Sequence, residues 1–261
     1  MIEFRSRKKA ISAVLQSLED PSRCDSTGLS KLDKAMGGGL YAGKAYGLQA
    51  RKKVGKTILL GTVSYNLNIN GVPHLWVTAE MNDQELEHRQ LARALNKDSI
   101  KFMDGNISAE EINNYLKTAP DNVYYSNASG ITLDQLEKLI HKAIDELQIH
   151  GVIVDYLQLI KGSNQNRTEH LEYVAQSLAG LVRQRQIWCI VAAQLNQDNN
   201  TRGGEGMLLA FDMVFNLNRD KFKSDAYLEM TESRYTSYVN IGSKSKPGLK
   251  LEQNGPFFSQ I

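Results

Sequence analysis

Between residues 45 and 195, short apolar runs alternate with longer segments whose apolar positions recur every three or four residues. The runs are AYGLQ at 45–49, PHLWVTA at 73–79, NVYYSN at 122–127, GVIVDYLQLI at 151–160 and IWCIVAAQL at 187–195. Their length and their aliphatic and aromatic content are those of buried strands. Helical spacing follows the first run, at Ile58, Leu59, Val63 and Leu67, and separates the third from the fourth, at Leu133, Leu136, Ile140, Ala143, Ile144 and Leu147. The second of these helices opens at Thr132 with Gln135 three residues on, a pairing in which each side chain accepts from the other's backbone N–H. Strands alternating with helices predict an α/β fold with a mostly parallel, twisted sheet flanked by helices. After Phe211 the period shortens: DMVFNLNRD, AYLEMTES, SYVNIGS and LKLEQNG read as strands with tight turns, so the sheet is expected to end in antiparallel strands.

Ahead of this pattern, residues 4–19 carry Ala10, Ile11, Val14, Leu15 and Leu18 on one helical stripe, and EDPSRCDSTG then breaks the helix. Two parts are expected: a helical segment over 1–20 and a globular domain over 21–261. With 261 residues, 41% of them hydrophobic, the chain can bury one full core. Cys24 and Cys189 are too few for a disulfide framework, and no apolar segment resembles a signal peptide or membrane span, so a cytoplasmic protein without a membrane partner is expected. The 31 basic and 29 acidic residues nearly cancel, which neither demands nor excludes nucleic acid. The five histidines are scattered, without metal-ligand spacing, and neither a G-x-S-x-G element nor a dinucleotide fingerprint is present.

Candidate chemistry enters where the first strand ends. Ala50, Arg51, Lys52, Lys53, Val54, Gly55, Lys56 and Thr57 follow the phosphate-loop pattern G-x-x-x-x-G-K-[ST], with alanine in the first glycine position. Such a loop wraps backbone N–H groups around phosphate oxygens and hands over to a helix N-terminus. Gly55 permits the close approach, Lys56 supplies a cation, and Thr57 supplies a hydroxyl suited to Mg²⁺. The strand, loop and helix order required is present, against the alternative of a basic surface turn. ATP and Mg²⁺ are the expected ligands.

Ligands in open parallel sheets sit beyond the carboxyl ends of the strands. Asp155 ends the apolar run Val152-Ile153-Val154 and matches a Walker B acid holding Mg²⁺ directly or through water. Glu80 follows the second strand, where a carboxylate can deprotonate an attacking water. Gln194 closes the last run, where its amide can sense a γ-phosphate. The bland readings are a helix cap for Asp155, an exposed loop glutamate for Glu80 and a turn glutamine for Gln194.

Taken in order, these motifs resemble the RecA-like ATPases, and more closely the DnaB-type replicative helicases. The resemblance runs from about Ser26 to the C-terminus through STGLSKLDKAMGGGL, ARKKVGKT, TAEM, VDYLQLI and NRTEHLEYVAQSLAGLVRQRQIWCIVAAQLN. It implies a RecA-like P-loop core acting as an ATP-hydrolysing helicase motor in DNA replication. The motor would assemble as a ring, by expectation a hexamer, on single-stranded DNA, with primase or a helicase loader as further partners. LEMTESRYTSYVNIG resembles the family strand that projects an arginine finger into the neighbouring subunit's ATP site, with Arg234 at the matching position. Two residues earlier the family's usual lysine is replaced by Glu232, reversing the charge. The family's DNA-binding loops correspond to 161–168 and 196–206, with Arg167, Arg202, Gly203 and Gly204 as candidates for phosphate contact. Unliganded exposed loops are the alternative. The second loop is short for the family, and the family's N-terminal domain has no counterpart beyond the helix at 4–19, which matches a linker that docks on the adjacent subunit and holds the ring. Packing of that helix on its own domain is the other reading. Two further functions share the nucleotide residues: a recombinase or strand-annealing ATPase, and a non-motor ATP-binding partner of a replicative helicase.

Overall fold

Each apolar run read from the sequence becomes a strand, and each segment of helical spacing a helix. A computed structural model of the chain describes residues 6–19, 23–161, 167–195, 206–252 and 256–261. In chain order these form α1 (Arg7–Glu19), β1 (Cys24–Asp25), α2 (Ser30–Ala35), β2 (Leu40–Tyr41), β3 (Ala45–Ala50), α3 (Lys56–Ile69) and β4 (His74–Thr78). Then follow α4 (Asp83–Ala94), α5 (Ile100–Met103), α6 (Ala109–Leu116), β5 (Val123–Asn127), α7 (Leu133–Leu147), β6 (Gly151–Asp155), α8 (Arg167–Arg185) and β7 (Trp188–Gln194). The chain ends with β8 (Met213–Arg219), β9 (Asp225–Ser233), β10 (Leu249–Leu251) and β11 (Phe258–Gln260).

Nine strands make one sheet in the order β11-β10-β9-β8-β3-β7-β6-β4-β5. Neighbours from β8 to β5 run parallel, whereas β9, β10 and β11 are antiparallel, as the change of pattern after Phe211 predicts. β1 and β2 form a separate small ladder.

Because side chains alternate across a strand, one strand feeds two cores. On β6, Val152 and Val154 pack with Leu136 and Ile140 of α7 and Leu178 of α8, while Ile153 joins Leu60 of α3, Trp76 and Leu86 of α4 in the other core. Each such fully buried side chain contributes about 1.5–3 kcal/mol. The Thr132/Gln135 capping box at α7 is present as read from the sequence, and a second, Asn82/Glu85, starts α4 directly after Glu80. Such a cap stabilises by about 1 kcal/mol.

α1 begins at Arg7, and residues 4 and 5 lie outside the described residues. Ile11, Val14 and Leu15 are 47%, 57% and 59% exposed, so the apolar stripe is not covered by the chain's own domain. Among the described residues no helix is long and apolar enough to cross a membrane.

Candidate nucleotide site

Four adjacent parallel strands bring the candidate side chains together. In register, Ala50 at the end of β3 lies opposite Gln194 at the end of β7, and Asp155 at the end of β6 lies opposite Thr78 at the end of β4. β6 and β7 are themselves neighbours. Residues distant in sequence therefore meet at the carboxyl edge of one stretch of sheet.

From Ala50 the chain turns through residues 51–55 into α3. Lys53 and Gly55 have left-handed backbones, with φ of 67° and 117°. A Cβ at Gly55 would lie 3.1 Å from the ring of Phe258, so glycine suits both the conformation and the space. The loop ends at the N-terminus of α3, where unpaired N–H groups and the helix dipole favour an anion.

A cavity of about 490 Å³ opens over this loop. Its wall contains Ala50, residues 51–53 and 55–57 of the loop, Glu80 and Gln194. Val54 instead turns into the core, 4% exposed, and belongs to the site through its backbone.

Beneath the cavity Thr57 Oγ1 donates to Asp155 Oδ2 at 2.8 Å, and Lys56 Nζ lies 3.6 Å from Asp155 Oδ1. Asp155 Oδ1 is buried without a hydrogen-bond partner. Burial pulls the Lys56 ammonium below the usual lysine range, while the charges of Asp155 and Glu80 act in the opposite sense. The ammonium also stands 4.5 Å over the Tyr156 ring. Glu80 is exposed at the rim.

Gln194 is tied to the turn after β6. Its backbone N–H donates to Gln158 Oε1 at 3.4 Å, and the Gln158 carbonyl accepts from Arg167 Nη2 at 3.3 Å. Arg167, the exposed first residue of α8, is thus linked through Gln158 to the edge of the cavity without lining it. Arg202, Gly203 and Gly204 lie outside the described residues.

The profile of the DnaB-like helicase C-terminal domain matches residues 26–208. The chain belongs to that family. Curated relatives include the replicative DNA helicase DnaB of Synechocystis sp., 27% identical over 177 residues, which cover 64% of this chain and 20% of that protein. DnaB of Haemophilus influenzae is 25% identical over 275 residues, covering 94% of this chain and 57% of that protein. The chain therefore spans only part of the length of these relatives. A solved helicase-type ATPase domain superposes with a TM-score of 0.81 at 17% identity, covering 99% of this chain and 100% of that one. A DnaB-like replicative helicase described with its primase interactions gives 0.80 at 17% identity, covering 99% and 68%. At that identity the superpositions establish the fold, which is RecA-like.

For a member of the DnaB-like family, the position of Arg234 is informative. It follows β9 directly, and its N–H donates to Asp212, whose own N–H donates to Ala45 at the start of β3. The loop leaves the other end of β3, five residues and about 16 Å away. Within one chain Arg234 thus stands at the opposite edge of the sheet from the cavity. Its guanidinium is exposed and donates to the Leu209 carbonyl.

Sequence reasoning missed three residues of the cavity wall: Arg89, Tyr156 and Arg219. Arg89 lies four positions after Glu85 on α4, and burial lowers its pKa against the opposing charges of Glu85, Asp155 and Glu80. Tyr156 follows Asp155 directly, and that adjacency was its available signal. Arg219 ends β8, the other parallel neighbour of β3, and its only signal was that position.

Proposed function

We propose that the chain is an ATP-hydrolysing DNA helicase motor that acts as a ring, by expectation a hexamer, on single-stranded DNA. The observation that carries this reading is the convergence of Lys56, Thr57 and Asp155 under a cavity rimmed by Glu80 and Gln194. The loop N–H groups and Lys56 hold the β- and γ-phosphates of ATP. Thr57 and Asp155 suit Mg²⁺, since one Asp155 oxygen is buried without a hydrogen-bond partner and the other already shares a contact with the Thr57 hydroxyl. Among the described residues no cluster of three or more His, Cys, Asp or Glu side chains is placed to hold a metal, so water and phosphate supply the other oxygens. When bound, the ion offsets charge on the β- and γ-phosphates. Glu80 takes the proton from the water that attacks the γ-phosphorus as the bond to the ADP oxygen breaks. Gln194 reads the γ-phosphate, and Arg234 of one subunit completes the site of the next, stabilising charge in the transition state.

Single-stranded DNA then contacts Arg167 and the segment containing Arg202, Gly203 and Gly204. Primase or a loader is a further partner by analogy with the family. Glu80→Gln should keep Mg-ATP binding and lose turnover by roughly 10²–10⁴-fold; hydrolysis at the wild-type rate would show that another group is the base. On forked DNA the motor reading requires ATP-dependent unwinding. Strand pairing that persists in Lys56→Ala, without unwinding, would instead support an annealing ATPase.

A further inference from the structure

Arg219 reaches the phosphate loop from outside it. Its Nε donates to the Val54 carbonyl at 2.6 Å, its Nη2 to the Lys53 carbonyl at 3.3 Å, and its Nη1 to the Lys223 carbonyl in the β8–β9 turn at 2.8 Å. Among the described residues no carboxylate forms an ion pair with it. Its bonds within the chain thus go to backbone oxygens, two of them consecutive in the loop.

We infer that Arg219 is a positioning residue that sets the phosphate affinity of the site by fixing the peptide planes of the loop. In a trans peptide the C=O and the following N–H point in opposite directions. Anchoring the Val54 carbonyl therefore fixes the direction of the Gly55 N–H, the last donor before α3. Holding the Lys53 carbonyl fixes the preceding plane in the same way. The loop needs this support because Lys53 sits at φ 67°, disfavoured for a residue with a Cβ, and Gly55 at φ 117° has wide freedom. Inside the loop, the bond from Val54 N–H to Arg51 is long, 3.4 Å.

The chemistry requires arginine. The Nε and Nη2 N–H bonds run parallel along one edge of a rigid plane and meet two neighbouring carbonyls, while the far nitrogen holds the turn. A lysine ammonium cannot reproduce that fork. Arg219 is half-buried, and burial lowers its pKa, consistent with a cation set against backbone instead of in open water.

This inference rests on the nucleotide-site reading and is tested apart from it. Arg219→Lys and Arg219→Gln are made in the full chain, and calorimetry measures Mg-ATP, Mg-ADP and inorganic tripolyphosphate. The expected result is an equal loss for all three probes in both variants, on the order of tenfold or more, with melting temperatures near wild type. Unchanged affinities would overturn the inference. So would a loss confined to the nucleosides with tripolyphosphate unaffected, since Arg219 would then be touching base or ribose. Full affinity in Arg219→Lys would likewise overturn it, by showing that charge alone suffices. If one variant fails to fold, the other carries the same comparison. A wild-type chain that binds none of the probes would bring down the nucleotide-site reading itself, a distinct outcome.

Discussion

The Thr57 hydroxyl donates to the Asp155 carboxylate at 2.8 Å across 98 positions of sequence. That bond joins the first turn of α3 to the end of β6, and Lys56 stands 3.6 Å from the other oxygen. A carboxylate 2% exposed is held by one hydroxyl and one cation, with an oxygen left for an ion.

The first prediction concerns this trio. Asp155→Asn removes the counter-charge from a largely buried ammonium, so the Lys56 pKa should fall further and the nucleotide-free protein should lose about 3 kcal/mol. ATP turnover should drop on the order of a hundredfold or more, because the ion loses its fixed ligand. Thr57→Val should leave stability closer to wild type yet raise the Mg²⁺ concentration needed for half-maximal turnover. A Mg²⁺ titration of Thr57→Val that overlays wild type would remove Thr57 from the metal's surroundings.

What the sequence revealed and what it hid follow from distance along the chain. Ala50 to Thr57 were legible because their geometry is local, with strand, loop and helix start within a few residues. Asp155 and Gln194 were legible because each ends a buried run, and parallel pairing fixes where such ends lie. Arg219 and Arg89 carry no local mark: only the pairing of β8 with β3 and the turn of α4 toward the loop place them on the cavity. Of the helices, α4 buries only Leu86 and Ala92, and α6 buries none of its residues, so their apolar period is too weak to read. β1 and β2, two residues each, lack the length to show a period.

His74 gives a pH prediction. Its Nδ1–H donates to the Val72 carbonyl at 2.8 Å, so Nε2 accepts from the Ser64 hydroxyl at 2.7 Å, and the neutral ring is fully satisfied. Burial pushes its pKa from 6.5 down to about 4. The unfolded chain therefore binds a proton that the folded chain refuses between those values. The contribution is complete above pH 6.5 and is lost as pH falls towards about 4, a change of about 3 kcal/mol. Denaturant titrations should show His74→Gln with a slope of stability against pH shallower by up to one proton in that window. An unchanged slope would mean that His74 is protonated in the fold.

The exposed stripe of α1 predicts a role in assembly. Ile11, Val14 and Leu15 lie on one face of a helix, where another surface can cover them. Deleting residues 1–20 should leave a chain that melts cooperatively and binds Mg-ATP but sediments as a smaller species. Sedimentation velocity showing the same assembly with and without the segment would place the interface elsewhere.

The final prediction follows from the separation of Arg234 and Lys56 on opposite edges of the sheet. Such residues cannot serve one site within one chain, but head-to-tail subunits in a closed ring bring one edge against the other. Arg234→Ala alone should bind Mg-ATP and lose turnover by about 10³-fold or more, the range of a charge-stabilising arginine. Lys56→Ala alone should fail to bind. In a random equal mixture, a site is intact where an Arg234→Ala chain supplies the loop and a Lys56→Ala neighbour supplies the arginine. That combination occurs at about a quarter of the interfaces of a cyclic assembly. Turnover in the mixture should therefore recover towards about a quarter of wild type if sites act independently, and further below it if they fire in sequence around the ring. The measurement is ATPase activity against mixing ratio, with co-assembly verified by differently labelled chains. Mixed rings with no more activity than either parent would mean that Arg234 does not act across the interface. In that case the Glu232 beside it would have to be read as part of a surface that has no role in hydrolysis.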